Sequence, residues 1–317
     1  MIDPSYIKRI GVYGSGAIGG GLAAYFALKG LKVEVCDVDP AFAEKNILHA
    51  LNAYLEFGII SDIKTIFDRI SITEDAEEAF SDVYFVFENG PEKTEVKHDM
   101  IRKLEKCIPE DAIISSSSSS MPCSLISEGA KHPERILVSH PFNPSYLIPL
   151  MEISKSDKTE QKYVDWTEEF YKLYGKVPVT VLKDRPGFIA NRLAHALWRE
   201  EIALVTEGVC TLEDADNAVS YGPGIRWGIM GPALGYDLGA GDEGLTAMLE
   251  KYEASSNLIF EDLSNFRSAP KEFRDIAAEQ IETLKQNLPE HIGHSISEID
   301  SYRSKMLIEL LRMRKLI

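Results

Sequence analysis

The sequence predicts an α/β fold: a doubly wound, mainly parallel sheet over residues 1–186, then an all-helical domain over residues 187–317. Three observations carry that expectation. Short apolar runs alternate with helix-compatible stretches through the first half of the chain, which is the pattern of strand–helix–strand units. A Gly-x-Gly-x-x-Gly turn, from Gly14 to Gly19, joins the first such run to the first such stretch. Beyond Pro186-Gly187 the strand pattern stops and long helix-compatible segments take over. A length of 317 residues suits two domains, and 44% hydrophobic with 26% charged residues is ordinary for a globular chain.

Tyr6 to Tyr13 reads as the first strand, Gly20 to Gly30 as a helix, and Lys32 to Cys36 as a second strand closed by Asp37. In that setting the three glycines have separate tasks: Gly14 permits the tight turn, Gly16 lets the backbone approach a pyrophosphate, and Gly19 lets helix and strand pack closely. The pyrophosphate would rest on the helix N-terminus, where unpaired N–H groups and the dipole favour negative charge. Asp37, 18 positions beyond Gly19, is placed to accept hydrogen bonds from ribose hydroxyls. A 2′-phosphate there would face a carboxylate, and Val38-Asp39-Pro40 supplies no arginine to offset it, so NAD is expected rather than NADP. Lys8-Arg9 and the 19 uncharged residues Ile10 to Leu28 superficially imitate a targeting signal, but six of the 19 are glycine and the dinucleotide turn explains them better.

Ala41 to Phe57 reads as the next helix. Strands follow at Ser71 to Thr73, Val83 to Phe87, Asp111 to Ser115 and Ile136 to Ser139, with a helix at Thr94 to Lys106. Ligands of such sheets bind beyond the carboxyl ends of the strands, which directs attention to Glu88 to Lys97, Ser115 to Ser120 and His140 to Pro144. Six consecutive serines elsewhere suggest a linker; here they follow the apolar Ala112-Ile-Ile114, so a hydroxyl-rich turn at the sheet edge is expected. His140 has a carboxylate 12 residues on, Glu152, in the strand-like Leu150 to Ile153, with Tyr146 to Pro149 allowing the chain to return. A carboxylate on one imidazole nitrogen fixes the tautomer and raises basicity, as a base abstracting an alcohol proton requires.

These motifs in order, with Pro91-Glu92, Lys97, Ser119, His140-Pro-Phe-Asn143-Pro, Glu152 and Pro186-Gly-Phe-Ile-Ala-Asn191-Arg192, resemble the 3-hydroxyacyl-CoA dehydrogenase family over nearly the whole chain. The intervals agree: 21 residues from Ser119 to His140, 12 on to Glu152 and 39 on to Asn191. The resemblance implies a Rossmann sheet and a helical cap that forms a homodimer. It implies that His140 removes the hydroxyl proton, that Glu152 orients His140, that Ser119 and Asn191 hydrogen-bond the reacting oxygen or its neighbouring carbonyl, and that Glu92 and Lys97 approach the nicotinamide ribose. The family's usual Asn-Thr-Ser-Ser turn is here all serine, so Ser119 is chosen over Ser118 and Ser120 by register, and Ser117 stands where the family has asparagine.

In the second domain, helices are expected at Phe188 to Gly208, Thr211 to Ser220 and Asp275 to Leu288, interrupted by glycine-rich turns at Tyr221 to Gly224 and Gly235 to Gly244. The final helix, Ile296 to Leu316, carries a stripe of Ile299, Met306, Leu310 and Met313, expected in the core or at a dimer contact. Ala196-Leu-Trp198-Arg-Glu200 and Tyr221-Gly-Pro-Gly-Ile-Arg226-Trp227 resemble the carnitine 3-dehydrogenase branch, and less closely the gulonate 3-dehydrogenases grouped with lens lambda-crystallin. By that likeness the reaction would be NAD-dependent oxidation of the 3-hydroxyl of a small polar 3-hydroxy acid, first L-carnitine, with L-gulonate, 3-hydroxybutyryl-CoA and a non-catalytic crystallin-like role as alternatives. Asn143 would contact the substrate. Arg226 would grip its carboxylate through two parallel hydrogen bonds, and Trp227, Trp198 and Tyr221 would face a quaternary ammonium.

The net charge is −16, from 34 Lys and Arg against 50 Asp and Glu, which argues against nucleic acid and anionic membranes as partners. The four cysteines lie far apart, with no C-x-x-C pair and no clustered histidines, so no metal site and no disulfide framework are expected, and a reducing cytoplasm is the natural location.

Overall fold

Side chains alternate across each extended strand, and a strand buried on both faces reads as a continuous apolar run. Phe85-Val-Phe87 and Ile136-Leu-Val138 are such runs, and every residue of the two strands they open is buried. They lie in an eight-stranded sheet in a computed structural model that describes residues 1–317. The strands are β1 (Arg9–Tyr13), β2 (Lys32–Cys36), β3 (Ile70–Thr73), β4 (Phe85–Glu88), β5 (Ile113–Ser116), β6 (Ile136–Pro141), β7 (Leu150–Ser154) and β8 (Val177–Val181). Their order is 3-2-1-4-5-6-7-8. All neighbours are parallel except β6 and β7, which are antiparallel. The order reverses between β1 and β4, which is the point where a doubly wound sheet opens a crevice for a ligand.

The helices of the first half are α1 (Ala17–Leu28), α2 (Pro40–Glu56), α3 (Lys64–Phe67), α4 (Ala76–Phe80), α5 (Thr94–Cys107), α6 (Cys123–Ile126) and α7 (Gln161–Leu173). Two cores result, one on each sheet face. Phe85 and Phe87 enter the core containing residues of α1, α2 and α7, whereas Val86 between them enters the core with Phe80, Ile101, Leu104 and Ile126. Aromatic rings fill the first: Phe85 lies 4.8 Å from Phe170, and Phe26 5.4 Å from both Phe87 and Phe170.

The remaining helices are α8 (Ala190–Thr206), α9 (Leu212–Ser220), α10 (Pro223–Trp227), α11 (Pro232–Gly239), α12 (Gly244–Asp262), α13 (Lys271–Asn287) and α14 (Ile296–Met313). Compact units comprise Met1–Arg192 with Ser304–Ile317, and Leu193–Arg303. The end of the chain, expected in the helical domain, thus groups with the sheet, because Ile308 and Leu311 are buried in its aromatic core. The face that α14 buries is Ser304, Ile308 and Leu311, turned away from the expected stripe; Met306 and Met313 are exposed. The second unit has a small core of its own, built on Ile202, Val205, Leu212, Ala215 and Phe273. The glycine-rich stretches expected as turns in this unit are partly helical: α10 begins in the first, and α11 ends in the second. No helix is long and apolar enough to cross a membrane.

Candidate active site

The turn after β1 shows how a dinucleotide would be held. Gly14 has φ +87°, in the left-handed region that glycine adopts without strain, and a Cβ there would press on the Asn89 carbonyl. Gly16 opens α1 with no side-chain cap, and a Cβ built on it meets nothing within 4 Å. Open space therefore faces uncapped helix N–H groups, the geometry that suits a pyrophosphate. Two buried polar atoms beside this turn, Ser15 Oγ and Asn89 Oδ1, have no protein partner. Asp37 is buried at the end of β2, and its carboxylate accepts from the Ser15 N–H (2.5 Å) and the Asp39 N–H (3.0 Å). Its remaining lone pairs suit ribose hydroxyls, so the residues present fit NAD.

At the carboxyl ends of β4 and β5 a buried charge cluster shapes the serine turn. Glu88, fully buried, accepts from the Ser116 hydroxyl (2.5 Å), the Gly90 N–H (2.6 Å) and Lys97 Nζ (3.1 and 3.2 Å). Lys97 also donates to the Gly90 carbonyl and pairs with Glu92 at 3.6 Å. Lys97 is 1% exposed, so its ammonium acts on the site through Glu92. Glu92 Oε1 accepts from the Ser118 hydroxyl (2.6 Å), the Ser120 hydroxyl (2.9 Å), and the N–H groups of Ser119 (3.1 Å) and Ser120 (3.0 Å). Burial alone would raise the Glu92 pKa, but the serine hydrogen bonds and the Lys97 charge hold it below the usual carboxylate value.

That arrangement separates the serines. The Ser118 hydroxyl is buried and committed to Glu92 and to the Met121 N–H, and Ser120 is likewise tied to Glu92. Ser119 is exposed; its N–H and carbonyl are fixed by Glu92 and by the Asn191 amide (2.8 Å), while its hydroxyl makes no protein hydrogen bond. Sequence spacing assigns no role to Glu88 or Ser116, because their contact spans 28 positions; the signal for them is the run of three glutamates and two lysines between Glu88 and Lys97 at the end of a strand.

His140 and Glu152 are register partners across the antiparallel β6–β7 pair, so both side chains leave the same face of the sheet. His140 Nδ1 stands 2.8 Å from Glu152 Oε2. The other carboxylate oxygen accepts from the Ile189 N–H (2.9 Å) and the Ala190 N–H (2.8 Å) at the start of α8. Burial raises the Glu152 pKa, yet the hydrogen bonds from His140, Ala190 and Ile189 outweigh it and hold the group ionised below the usual range. An ionised carboxylate only accepts, so Nδ1 carries the proton, and in the neutral imidazole the lone pair that a general base needs is then on Nε2. Phe142 and Phe188 pack on the imidazole at 5.0 and 5.5 Å. Asn143, exposed, follows in the same turn.

The second unit carries the other expected residues. Arg226 and Trp227 lie in α10, both exposed, and Arg226 makes no ion pair. Trp198 in α8 is 42% exposed and meets the buried Phe273 edge-on at 5.6 Å, so part of it serves that unit's core.

Comparison with known proteins gives a consistent result. The 3-hydroxyacyl-CoA dehydrogenase NAD binding domain matches residues 9–185, and the C-terminal domain of the same family matches residues 187–271. An L-carnitine dehydrogenase of Streptomyces coelicolor is 34% identical over 98% of this chain and 96% of its own. One of Bacillus cereus is 33% identical over 97% of this chain and 92% of its own. Among solved structures, an NAD+-dependent dismutase, 5-formyl-3-hydroxy-2-methylpyridine 4-carboxylic acid 5-dehydrogenase, is 28% identical with TM-score 0.79 over 98% of both chains.

Proposed function

The chain belongs to the 3-hydroxyacyl-CoA dehydrogenase family of NAD-dependent oxidoreductases, and from that premise we propose that it oxidises the 3-hydroxyl of L-carnitine. The observation that carries the reading is the likeness to L-carnitine dehydrogenases along essentially the whole chain, which includes the helical unit. The acidic balance supports it. A CoA ester brings several phosphate charges to a chain of net charge −16, whereas zwitterionic carnitine needs only one local cation.

In this reading the substrate hydroxyl donates to His140 Nε2, which takes its proton as the C3 carbonyl forms. Glu152 holds the imidazolium that results. The Ser119 hydroxyl and the Asn191 amide steady the reacting oxygen, and Glu92 keeps the serine turn in place. Bound NAD supplies the acceptor for the C3 hydride. Arg226 takes the substrate carboxylate, Trp227 and Trp198 face the trimethylammonium group, and Asn143 borders the same substrate.

A second copy is expected on the helical unit. Ile225, Ile229, Leu234, Tyr236 and Leu238, with Leu258, Ile259 and Phe260 of α12, are exposed there around a small core. A cytoplasmic location agrees with the four free thiols. The test incubates pure protein with NAD and, in parallel, L-carnitine, L-gulonate and 3-hydroxybutyryl-CoA, following NADH absorbance. Turnover of L-carnitine at the highest kcat/KM is expected; turnover of the CoA ester alone overturns the reading.

A further inference from the structure

We propose that Lys176 is a positioning residue: with the Ser145 hydroxyl it holds the turn between His140 and Glu152 on helix α1, and so sets where the imidazole stands. The inference rests on the dehydrogenase reading above.

Lys176 immediately precedes β8, is 3% exposed, and forms no ion pair with a carboxylate. Its Nζ donates to the carbonyls of Ser145 (2.8 Å) and Ile148 (2.9 Å) and sits 3.9 Å from the ring centroid of Tyr25 in α1. A buried ammonium without a counter-charge is costly, and burial together with Lys29 pulls its pKa down to about 7. Neither protonation state changes what it does here, since the neutral amine also has N–H bonds for both carbonyls. A shape-matched apolar side chain would leave those carbonyls without the donor.

The two carbonyls belong to the connection between β6 and β7, the hairpin that carries the base and its carboxylate. Three other bonds fasten the same connection. The Ser145 hydroxyl donates to the Ile18 carbonyl in the first turn of α1 (2.9 Å), the Tyr54 hydroxyl of α2 donates to the Tyr146 carbonyl (2.5 Å), and the Val177 N–H donates to the Pro149 carbonyl (2.8 Å). Gly21 of α1 makes room: a Cβ there would collide with Ser145 Oγ. Lys176 closes the turn from inside, and Ser145 fastens the closed turn to the helix whose N-terminus receives the pyrophosphate. The reach between proton acceptor and nucleotide is thereby fixed by bonds that involve neither the imidazole nor the helix N–H groups.

The test compares wild type with Lys176→Met and Ser145→Ala. Misplacement of a reacting group by about 1 Å costs on the order of a hundredfold in rate. For Lys176→Met we expect kcat to fall at least about tenfold while KM and the NADH dissociation constant stay within about twofold. The deuterium isotope effect on kcat with C3-deuterated substrate should rise as hydride transfer becomes limiting. The downfield Nδ1–H resonance of His140, which needs no turnover, should shift in the same variant. Ser145→Ala should show a smaller change of the same kind and decides the matter if Lys176→Met does not fold. An unchanged kcat and an unchanged His140 resonance in either folded variant overturn the proposal. Kinetics use whichever of the three hydroxy substrates the wild type oxidises, so a wrong substrate shows in wild type and a wrong Lys176 shows in the ratio.

Discussion

Glu152 serves two groups at once, the imidazole of His140 and the first N–H groups of α8, and its replacement separates chemistry from folding. Glu152→Gln no longer enforces the Nδ1–H tautomer; kcat should drop by roughly a hundredfold to ten-thousandfold, the range for losing general-base assistance, with NADH binding retained. His140→Ala should lose at least as much, and activity equal to wild type would end the proton-abstraction mechanism. Glu152 also leaves a signature in acid. Its folded pKa lies below the ordinary 4.5, so its contribution to stability is complete above about 4.5 and is lost as pH falls through the folded value. The gap in melting temperature between wild type and Glu152→Gln, followed from pH 7 to pH 3, should therefore narrow toward acid. The pair was legible in the sequence because both partners lie within one hairpin. The Glu88–Lys97–Glu92 cluster was legible only as a motif, because what its members touch is decided by strand order.

At the scale of elements, the turn into α1 is the most sharply determined. A Cβ on Gly19 would fall on the Gly14 carbonyl, so Gly19→Ala must displace the start of the helix. The NADH dissociation constant, read by fluorescence titration, should rise about tenfold or more, consistent with one misaligned anion-binding helix end. A variant that binds NADH like wild type would remove the turn from the nucleotide site. Strands β1 to β7 follow from apolar runs bounded by turns. Strand β8 gave no comparable signal, since Val177-Pro-Val-Thr-Val181 forms the edge strand, largely unburied and interrupted by proline. Helix α14 shows the reverse problem. Its sequence offers two apolar faces, and only packing against the sheet's aromatic core selects Ile308 and Leu311 over Met306 and Met313.

For the molecule as a whole, charge and apolar surface lead to separate measurements. Arg226→Met should raise KM for L-carnitine at least about tenfold with NADH affinity unchanged, the scale of losing a charge-assisted bidentate pair. An unchanged KM would move the carboxylate contact elsewhere. Light scattering at micromolar concentration should return twice the mass of one chain, and Phe260→Glu should shift it toward the monomer; a monomer in wild type would dispose of the second copy.

The base and its carboxylate occupy residues 140 to 152, thirteen consecutive positions of one hairpin, while Arg226 lies 74 positions further on in another unit. Heredity can treat these as separate cargo. A crossover, insertion or drift in the later stretch leaves the proton-accepting pair whole, so on the substrate reading above a lineage can change what it eats without reinventing how it oxidises.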